Sequence, residues 1–100
     1  MILELADIRI RPGENAAFEE AIARGLATVI AKAAGYRRHQ VCKGIESPER
    51  YLLMIYWDTL EAHTVAFRGG PLFPQWRAIV GPFFAAPPGV APFALVGKSG

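Results

Sequence analysis

A single histidine on a predicted helix has the type and spacing that indicate proton-transfer chemistry. His63 follows Trp57 by six residues. At helical spacing it shares one face with Leu60, Thr64 and Phe67. An imidazole has an ordinary pKa of about 6.5 and can accept a phenolic proton near neutral pH. His63 is therefore a candidate catalytic base, although the same pattern is typical of a partly buried histidine with a structural hydrogen bond, and the sequence leaves both interpretations open.

Aromatic and cationic residues near His63 are candidates for binding a flat substrate. Aromatic side chains could line an apolar slot, and Arg68 could hold a carboxylate or phenolate through a charge-assisted hydrogen bond. The alternatives are ordinary core packing for the aromatic rings and compensation of a helix dipole for Arg68. The predicted substrate-binding residues are Trp57, Phe67, Trp76, Arg68 and His39. His39 lies on a predicted strand, and the alternation there does not decide which face points to a pocket.

The sequence offers no support for several other classes of site. It contains no Cys/His cluster with metal-ligand spacing, no GxGxxG and no GxxxxGK[ST], so neither a metal nor a cofactor is predicted. The 11 basic and 9 acidic residues are scattered, which argues against a nucleic-acid partner. Cys42 is the only cysteine, and no secretory segment or membrane-spanning apolar run of about 20 residues is present. A cytoplasmic protein without a membrane partner is expected.

Hydrophobic periodicity predicts the elements that must position these residues. The predicted elements are a strand over 1–11, a helix over 14–33, strands over 36–45 and 50–57, helices over 59–68 and 72–84, and a strand over 90–96. Gly69 and Gly70 divide the second helical region. The order βαββαβ predicts one α+β domain of the ferredoxin-like kind, with a split second helix.

The third predicted strand indicates a partner subunit. Residues 50–57 are apolar at almost every position, so both faces of this strand must be covered. Hydrophobic residues make up 52% of a chain of only 100 residues, which buries a limited share of its surface when it folds alone. Helices can cover one face of the sheet, and a second copy of the chain can cover the other. A homodimer is therefore predicted.

Several segments resemble the antibiotic biosynthesis monooxygenase family. They are Tyr51–Trp57, Glu61–His63, Phe67–Pro71, Trp76 and Pro82–Phe84. The resemblance extends from the first strand to about Val96, and its most specific part is the strand that ends in Trp57 followed by His63. It implies a dimeric α+β barrel, in which two four-stranded sheets face each other with the helices outside. The family includes cofactor-free oxygenases of quinols and polyphenols, and also haem-degrading enzymes.

Three positions argue against the haem-degrading branch. Ile8 stands where those members have an asparagine, Ala66 where they have a tryptophan, and Trp76 where they have a histidine ligand. The predicted function is thus a cofactor-independent monooxygenase that acts on a small aromatic, quinol or polyphenol substrate. The alternative is a non-catalytic, ligand-binding or stress-associated dimeric barrel that uses the same pocket.

Overall fold

The computed structural model describes residues 1–100 and contains one antiparallel sheet of four strands. The strands are β1 (Ile2–Arg9), β2 (Tyr36–Lys43), β3 (Arg50–Trp57) and β4 (Gly89–Ala94). Their order across the sheet is β2-β3-β1-β4, so the first and third strands are its centre. Helix α1 (Asn15–Thr28) connects β1 to β2, and helical segments connect β3 to β4. The predicted ferredoxin-like βαββαβ fold is confirmed. No helix combines the length and apolar character that crossing a bilayer requires.

The two helical regions change their winding along the chain. The predicted helix over 14–33 consists of α1 followed by a 3₁₀ turn at Ile30–Lys32. The region between β3 and β4 consists of a π-helix (Ala62–Phe67), an α-helix, α2 (Leu72–Val80), and a 3₁₀ turn (Gly81–Phe83). A Cβ at Gly69 would lie 2.7 Å from the Val65 carbonyl oxygen, so glycine permits the tight turn that separates the π-helix from α2.

The main core lies between one face of the sheet and the helices. Alternate residues of β3, namely Tyr51, Leu53, Ile55 and Trp57, are buried on this face. They pack in one cluster with residues of both helical regions. That cluster includes Ile8, Phe18, Ile22, Leu26, Phe67, Trp76 and Val80. Strand alternation thus directs every second residue of β3 towards the helices.

The opposite face of the sheet has an apolar patch at its centre, bordered by the Asp7–Arg50 ion pair. The register places Leu5 opposite Met54 and Leu3 opposite Tyr56, on the side away from the helices. Phe93 of β4 pairs with Leu3 on the same side and is 48% exposed. We call this side the outer face. Because β3 contributes side chains to both the core and the outer face, it has apolar residues at consecutive positions.

Gly35 provides a test of how β2 is held against the π-helix. It has φ of +84°, and a Cβ there would lie 2.6 Å from the Cβ of Ala62. Gly13 has a nearly identical φ of +83°, but a Cβ there would meet no atom within 4 Å, so it is the matched control. Gly13→Ala should lower the free energy of unfolding by about 1–2 kcal/mol through backbone strain. Gly35→Ala should lower the free energy of unfolding by the same strain and by about 1–3 kcal/mol more, through steric overlap with Ala62.

Urea unfolding at one fixed protein concentration measures both costs. Ala62→Gly in the Gly35→Ala background should recover part of the additional loss, because it removes the atom that the new methyl group meets. Equal costs at Gly13 and Gly35 would contradict the close approach of the two segments.

Candidate active site

A cavity of about 560 Å³ lies between the helix-covered face of the sheet and the second helical region. Twelve of its 18 lining residues are hydrophobic. Its sheet side includes Ala6 and Leu53, and its helical side includes Phe67, Phe73 and Trp76. A volume of this size is typical of sites for small organic molecules. The apolar walls favour a ligand with a hydrophobic ring.

Glu4 is the only carboxylate that lines this cavity. It lies on β1 in phase with Ala6 and Ile8, so strand alternation directs it towards the helices, where it is 7% exposed. The indole Nε1 of Trp57 donates a hydrogen bond of 2.9 Å to its Oε1. Burying a carboxylate is unfavourable unless it is paired or hydrogen-bonded. The indole donor therefore stabilises an acidic group at an otherwise apolar position.

His63 lies beside the same carboxylate. Its Nε2 is 3.3 Å from Glu4 Oε1, and the residue is 2% exposed. The imidazole stacks on the Trp57 indole, with ring centroids 6.0 Å apart and planes inclined by 19°. Neither ring nitrogen has a hydrogen-bond partner of normal geometry, and Glu4 is the one acidic group within ion-pair distance. A buried imidazole, a buried carboxylate and an indole N–H thus form one polar cluster.

The π-helix determines which side chains reach this cluster. The amide of Arg68 donates to the His63 carbonyl at 3.1 Å, an i+5 hydrogen bond that widens the turn. His63 and Phe67 are buried, whereas Leu60 and Thr64 are exposed. The helical face predicted from i+3 and i+4 spacing is therefore only half correct, because only His63 and Phe67 of the four residues point to the core.

Five of the six predicted site residues lie in or directly behind the cavity. Phe67, Trp76 and Arg68 line the cavity. Trp57 and His63 do not line it and instead contact Glu4, which does. The roles assigned to these five residues stay predictions.

His39 lies away from the cavity. It is exposed on β2, and its Nδ1 is 2.7 Å from the Tyr36 hydroxyl oxygen. It borders a separate depression of about 310 Å³ that also includes Glu19, Lys43 and Tyr51. The structure therefore does not bring His39 together with the other predicted site residues.

The depression near His39 contains a hydrogen-bonded link between α1 and β3. The Tyr51 hydroxyl donates to Glu19 Oε2 at 2.7 Å, and Lys43 Nζ is 3.1 Å from the same atom. The Tyr51 hydrogen bond, aided by Lys43, lowers the pKa of Glu19. Burial, together with the Glu19 hydrogen bond, raises the pKa of Tyr51. The polar groups of the depression therefore have a structural role, because they connect α1 with β2 and β3.

Two charged residues of the cavity were not singled out from the sequence, Glu4 and Arg77. The sequence could have identified Glu4, because it is an acidic residue in phase with Ala6, Ile8 and Ile10 on the buried face of a strand. The sequence could not identify Arg77, since the pattern of a nine-residue helix does not show which of its side chains borders a cavity.

Comparison with known proteins gives consistent matches over most of the chain. The sequence profile of the antibiotic biosynthesis monooxygenase family matches residues 1–79. The uncharacterized protein YczJ of Bacillus subtilis (strain 168) is 37% identical over 93 residues, which cover 93% of this chain and 97% of YczJ. A crystal structure from Bordetella bronchiseptica that carries the same family description is 37% identical, with a TM-score of 0.89 and coverage of 95% of this chain and 96% of that one.

A more distant structure has the same fold. SnoaB, a cofactor-independent oxygenase from Streptomyces nogalater, superposes with a TM-score of 0.81 over 97% of this chain and 94% of SnoaB, at 18% identity. At that identity the likeness concerns the fold alone.

The indole–carboxylate hydrogen bond can be measured by a double-mutant cycle. Trp57→Phe removes the donor, and Trp76→Phe is the control, because Trp76 packs in the same cluster without donating a hydrogen bond. The free energy of unfolding should fall by about 1.5–3 kcal/mol more for Trp57→Phe than for Trp76→Phe, as expected for a hydrogen bond to a charged group. With Glu4→Met as background, that excess should disappear. An excess that persists without the carboxylate would contradict the interaction.

Proposed function

This chain belongs to the antibiotic biosynthesis monooxygenase family, and we propose that it oxidises a small aromatic, quinol or polyphenol substrate with dioxygen and without a cofactor. The observation that carries the proposal is the mostly apolar cavity of about 560 Å³ with one buried carboxylate, Glu4, beside His63. Apolar walls suit an aromatic ring, and the carboxylate–imidazole pair suits removal of a hydroxyl proton. The fold shared with SnoaB, described as a cofactor-independent oxygenase, supports the same reaction class.

In the proposed proton transfer, Glu4 contacts the substrate hydroxyl and His63 acts through Glu4. The support for this order is that Glu4 lines the cavity, whereas His63 lies behind it with Nε2 at 3.3 Å from Oε1. The Trp57 indole holds the same oxygen and fixes the orientation of the carboxylate. His63 then shares the proton that Glu4 accepts, because its Nε2 lies beside the carboxylate oxygen.

In the proposed oxidation, the deprotonated aromatic supplies the electrons. It transfers one electron to dioxygen, and the two radicals combine to a peroxide anion. The proton taken up by the Glu4–His63 pair returns to this anion to give a hydroperoxide, and loss of water from the carbon that bears it, with that carbon's own hydrogen, leaves a carbonyl group. One oxygen atom enters the product and the other leaves as water. Phe67 and Trp76 would orient the ring and exclude bulk water during these steps.

We also propose that the outer face is the interface of a homodimer. It presents Leu3, Leu5, Met54 and Phe93 on the side of the sheet that the helices leave uncovered. A contiguous apolar surface of this kind is typical of protein interfaces. The cavity lies on the other face of the sheet, so pairing of two outer faces would leave it open to substrate. The resulting assembly is the barrel that the family resemblance implies.

Oxygen consumption tests the proposed reaction. A naphthohydroquinone, an anthrone and a catechol, each supplied to the protein in an oxygen electrode, should include at least one substrate that is consumed faster than with heat-denatured protein. Incorporation of one atom from ¹⁸O₂ into the product, with water as the second product, identifies a monooxygenase. Stoichiometric binding of these aromatics without oxygen uptake would favour the non-catalytic ligand-binding alternative.

Variants of the polar pair connect that activity to the site. Glu4→Gln should slow turnover by roughly 10²–10⁴-fold, the usual contribution of a positioned acid–base group, while the protein stays folded. His63→Gln should also slow turnover per folded protein, whereas Thr64→Ala, an exposed neighbour on the same π-helix, should not. Stability and turnover are measured on the same preparation. A His63 variant with lower stability but unchanged turnover would assign His63 a structural role.

Sedimentation tests the assembly. The protein should be a dimer at micromolar concentration, and Met54→Lys should convert it to a folded monomer, because an unpaired charge in an interface costs several kcal/mol, roughly 3–5. Leu53→Lys should instead unfold the chain, since Leu53 is 2% exposed in the core on the opposite face. Ala27→Lys, on the exposed surface of α1, should change neither property. A monomeric wild-type protein would remove the interface.

A further inference from the structure

The cavity separates one negative charge from two positive charges. Glu4 is the buried charge, with its side chain 10% exposed, and it defines the floor of the cavity. Arg68 and Arg77 also line the cavity but are exposed, so they lie at its mouth. The Gly69–Gly70 turn joins the π-helix to α2, and the two arginines that line the cavity lie on either side of this turn.

The two arginines have no acidic partner within the chain. Glu4 interacts with Trp57 and His63, and not with either arginine. Five other basic side chains form ion pairs with carboxylates, and none of them lines the cavity. They are Arg11, Arg24, Arg37, Lys43 and Arg50.

The arrangement of Arg68 leaves its hydrogen-bond donors available. Its guanidinium carbon lies 5.1 Å from the centroid of the Phe73 ring, and its side chain donates no hydrogen bond. Stacking on an aromatic ring restricts a guanidinium while its N–H groups point outward in the plane. Arg77 contributes a second cation from α2, and its side chain also donates no hydrogen bond. With one carboxylate and two guanidinium groups, the cavity has an excess of positive charge at its mouth.

We propose that the substrate is an aromatic hydroxy acid, which places its hydroxyl at Glu4 and its carboxylate at Arg68 and Arg77. The planar fork of an arginine matches a carboxylate and binds it through charge-assisted hydrogen bonds. An aromatic ring between the two polar ends contacts the apolar walls formed by Phe67 and Trp76. This inference rests on the proposed function for the role of the hydroxyl group, and it adds a required anionic substituent.

Three ligands with the same ring system test the proposal in anaerobic buffer by calorimetry. 2-Naphthol has only the hydroxyl, 2-naphthoate has only the carboxylate, and 6-hydroxy-2-naphthoate has both. The hydroxy acid should bind roughly 10- to 100-fold more tightly than 2-naphthol, as expected for charge-assisted hydrogen bonds at the mouth. Added sodium chloride should weaken binding of the two acids and leave 2-naphthol unchanged.

Substitutions should assign the carboxylate end of the ligand to the two arginines. Arg68→Gln and Arg77→Gln together should remove the preference for the acids without changing the affinity for 2-naphthol. Lys98→Gln removes one exposed positive charge outside the cavity and should leave all three affinities unchanged. Circular dichroism of each variant shows whether it is folded, and the exposed arginines are replaceable without loss of the core.

Equal affinity for 2-naphthol and 6-hydroxy-2-naphthoate would overturn the inference, and so would a preference for the acid that survives in the double arginine variant. No binding of any of the three ligands at millimolar concentration would overturn it as well. Because binding is measured without oxygen and oxygen uptake is measured separately, failure of this inference is distinguishable from failure of the proposed function. Selective binding of the acid without oxygen uptake would support the anion site and reject the monooxygenase, whereas oxygen uptake with neutral phenols alone would do the reverse.

Discussion

The hydrogen bond between the Trp57 indole and the Glu4 carboxylate depends on the register of the two central strands. Glu4 lies opposite Ile55, and Trp57 is two residues further along the same face, so the two side chains are diagonal neighbours. A slip of one residue between β1 and β3 would move Glu4 to the outer face and leave the indole without its acceptor. The position of the acidic group, and therefore the polar character of the cavity floor, follows from this pairing.

The polar cluster of Glu4, Trp57 and His63 also requires the close approach of the π-helix to the sheet. The Ala62 methyl group lies against Gly35, where no other residue type has room, and this contact brings His63 beside Trp57 and Glu4. The hydroxyl of Thr59 accepts a hydrogen bond of 3.1 Å from the Ala62 amide and orders the start of the segment. Indole, imidazole and carboxylate thus come from three separate stretches of the chain, and each stretch is held by contacts that involve no ligand.

Patterns of hydrophobic residues predicted the fold well, because they show which side chains each strand and helix buries. Residues 50–57 form β3 with the predicted bounds, and the split at Gly69 and Gly70 is present. The π winding was not predictable from these patterns, since it differs from an α-helix by one residue per hydrogen-bonded turn. His39 was assigned to the site because a strand with polar residues on both faces does not reveal its orientation. The contact of Glu4 with His63 depends on elements 59 residues apart in sequence, which periodicity does not connect.

The alternation of β3 explains how one strand can serve two surfaces. Leu53 and Ile55 line the cavity, whereas Leu52 and Met54 belong to the outer face. A strand in a sheet with one solvated face needs apolar residues only at every second position. The consecutive apolar residues of β3 therefore serve two separate surfaces, the core and cavity on one side and the outer face, the proposed dimer interface, on the other. Since the two sets of side chains point in opposite directions, a substitution in one set can alter assembly while leaving the polar cluster of Glu4, Trp57 and His63 in place.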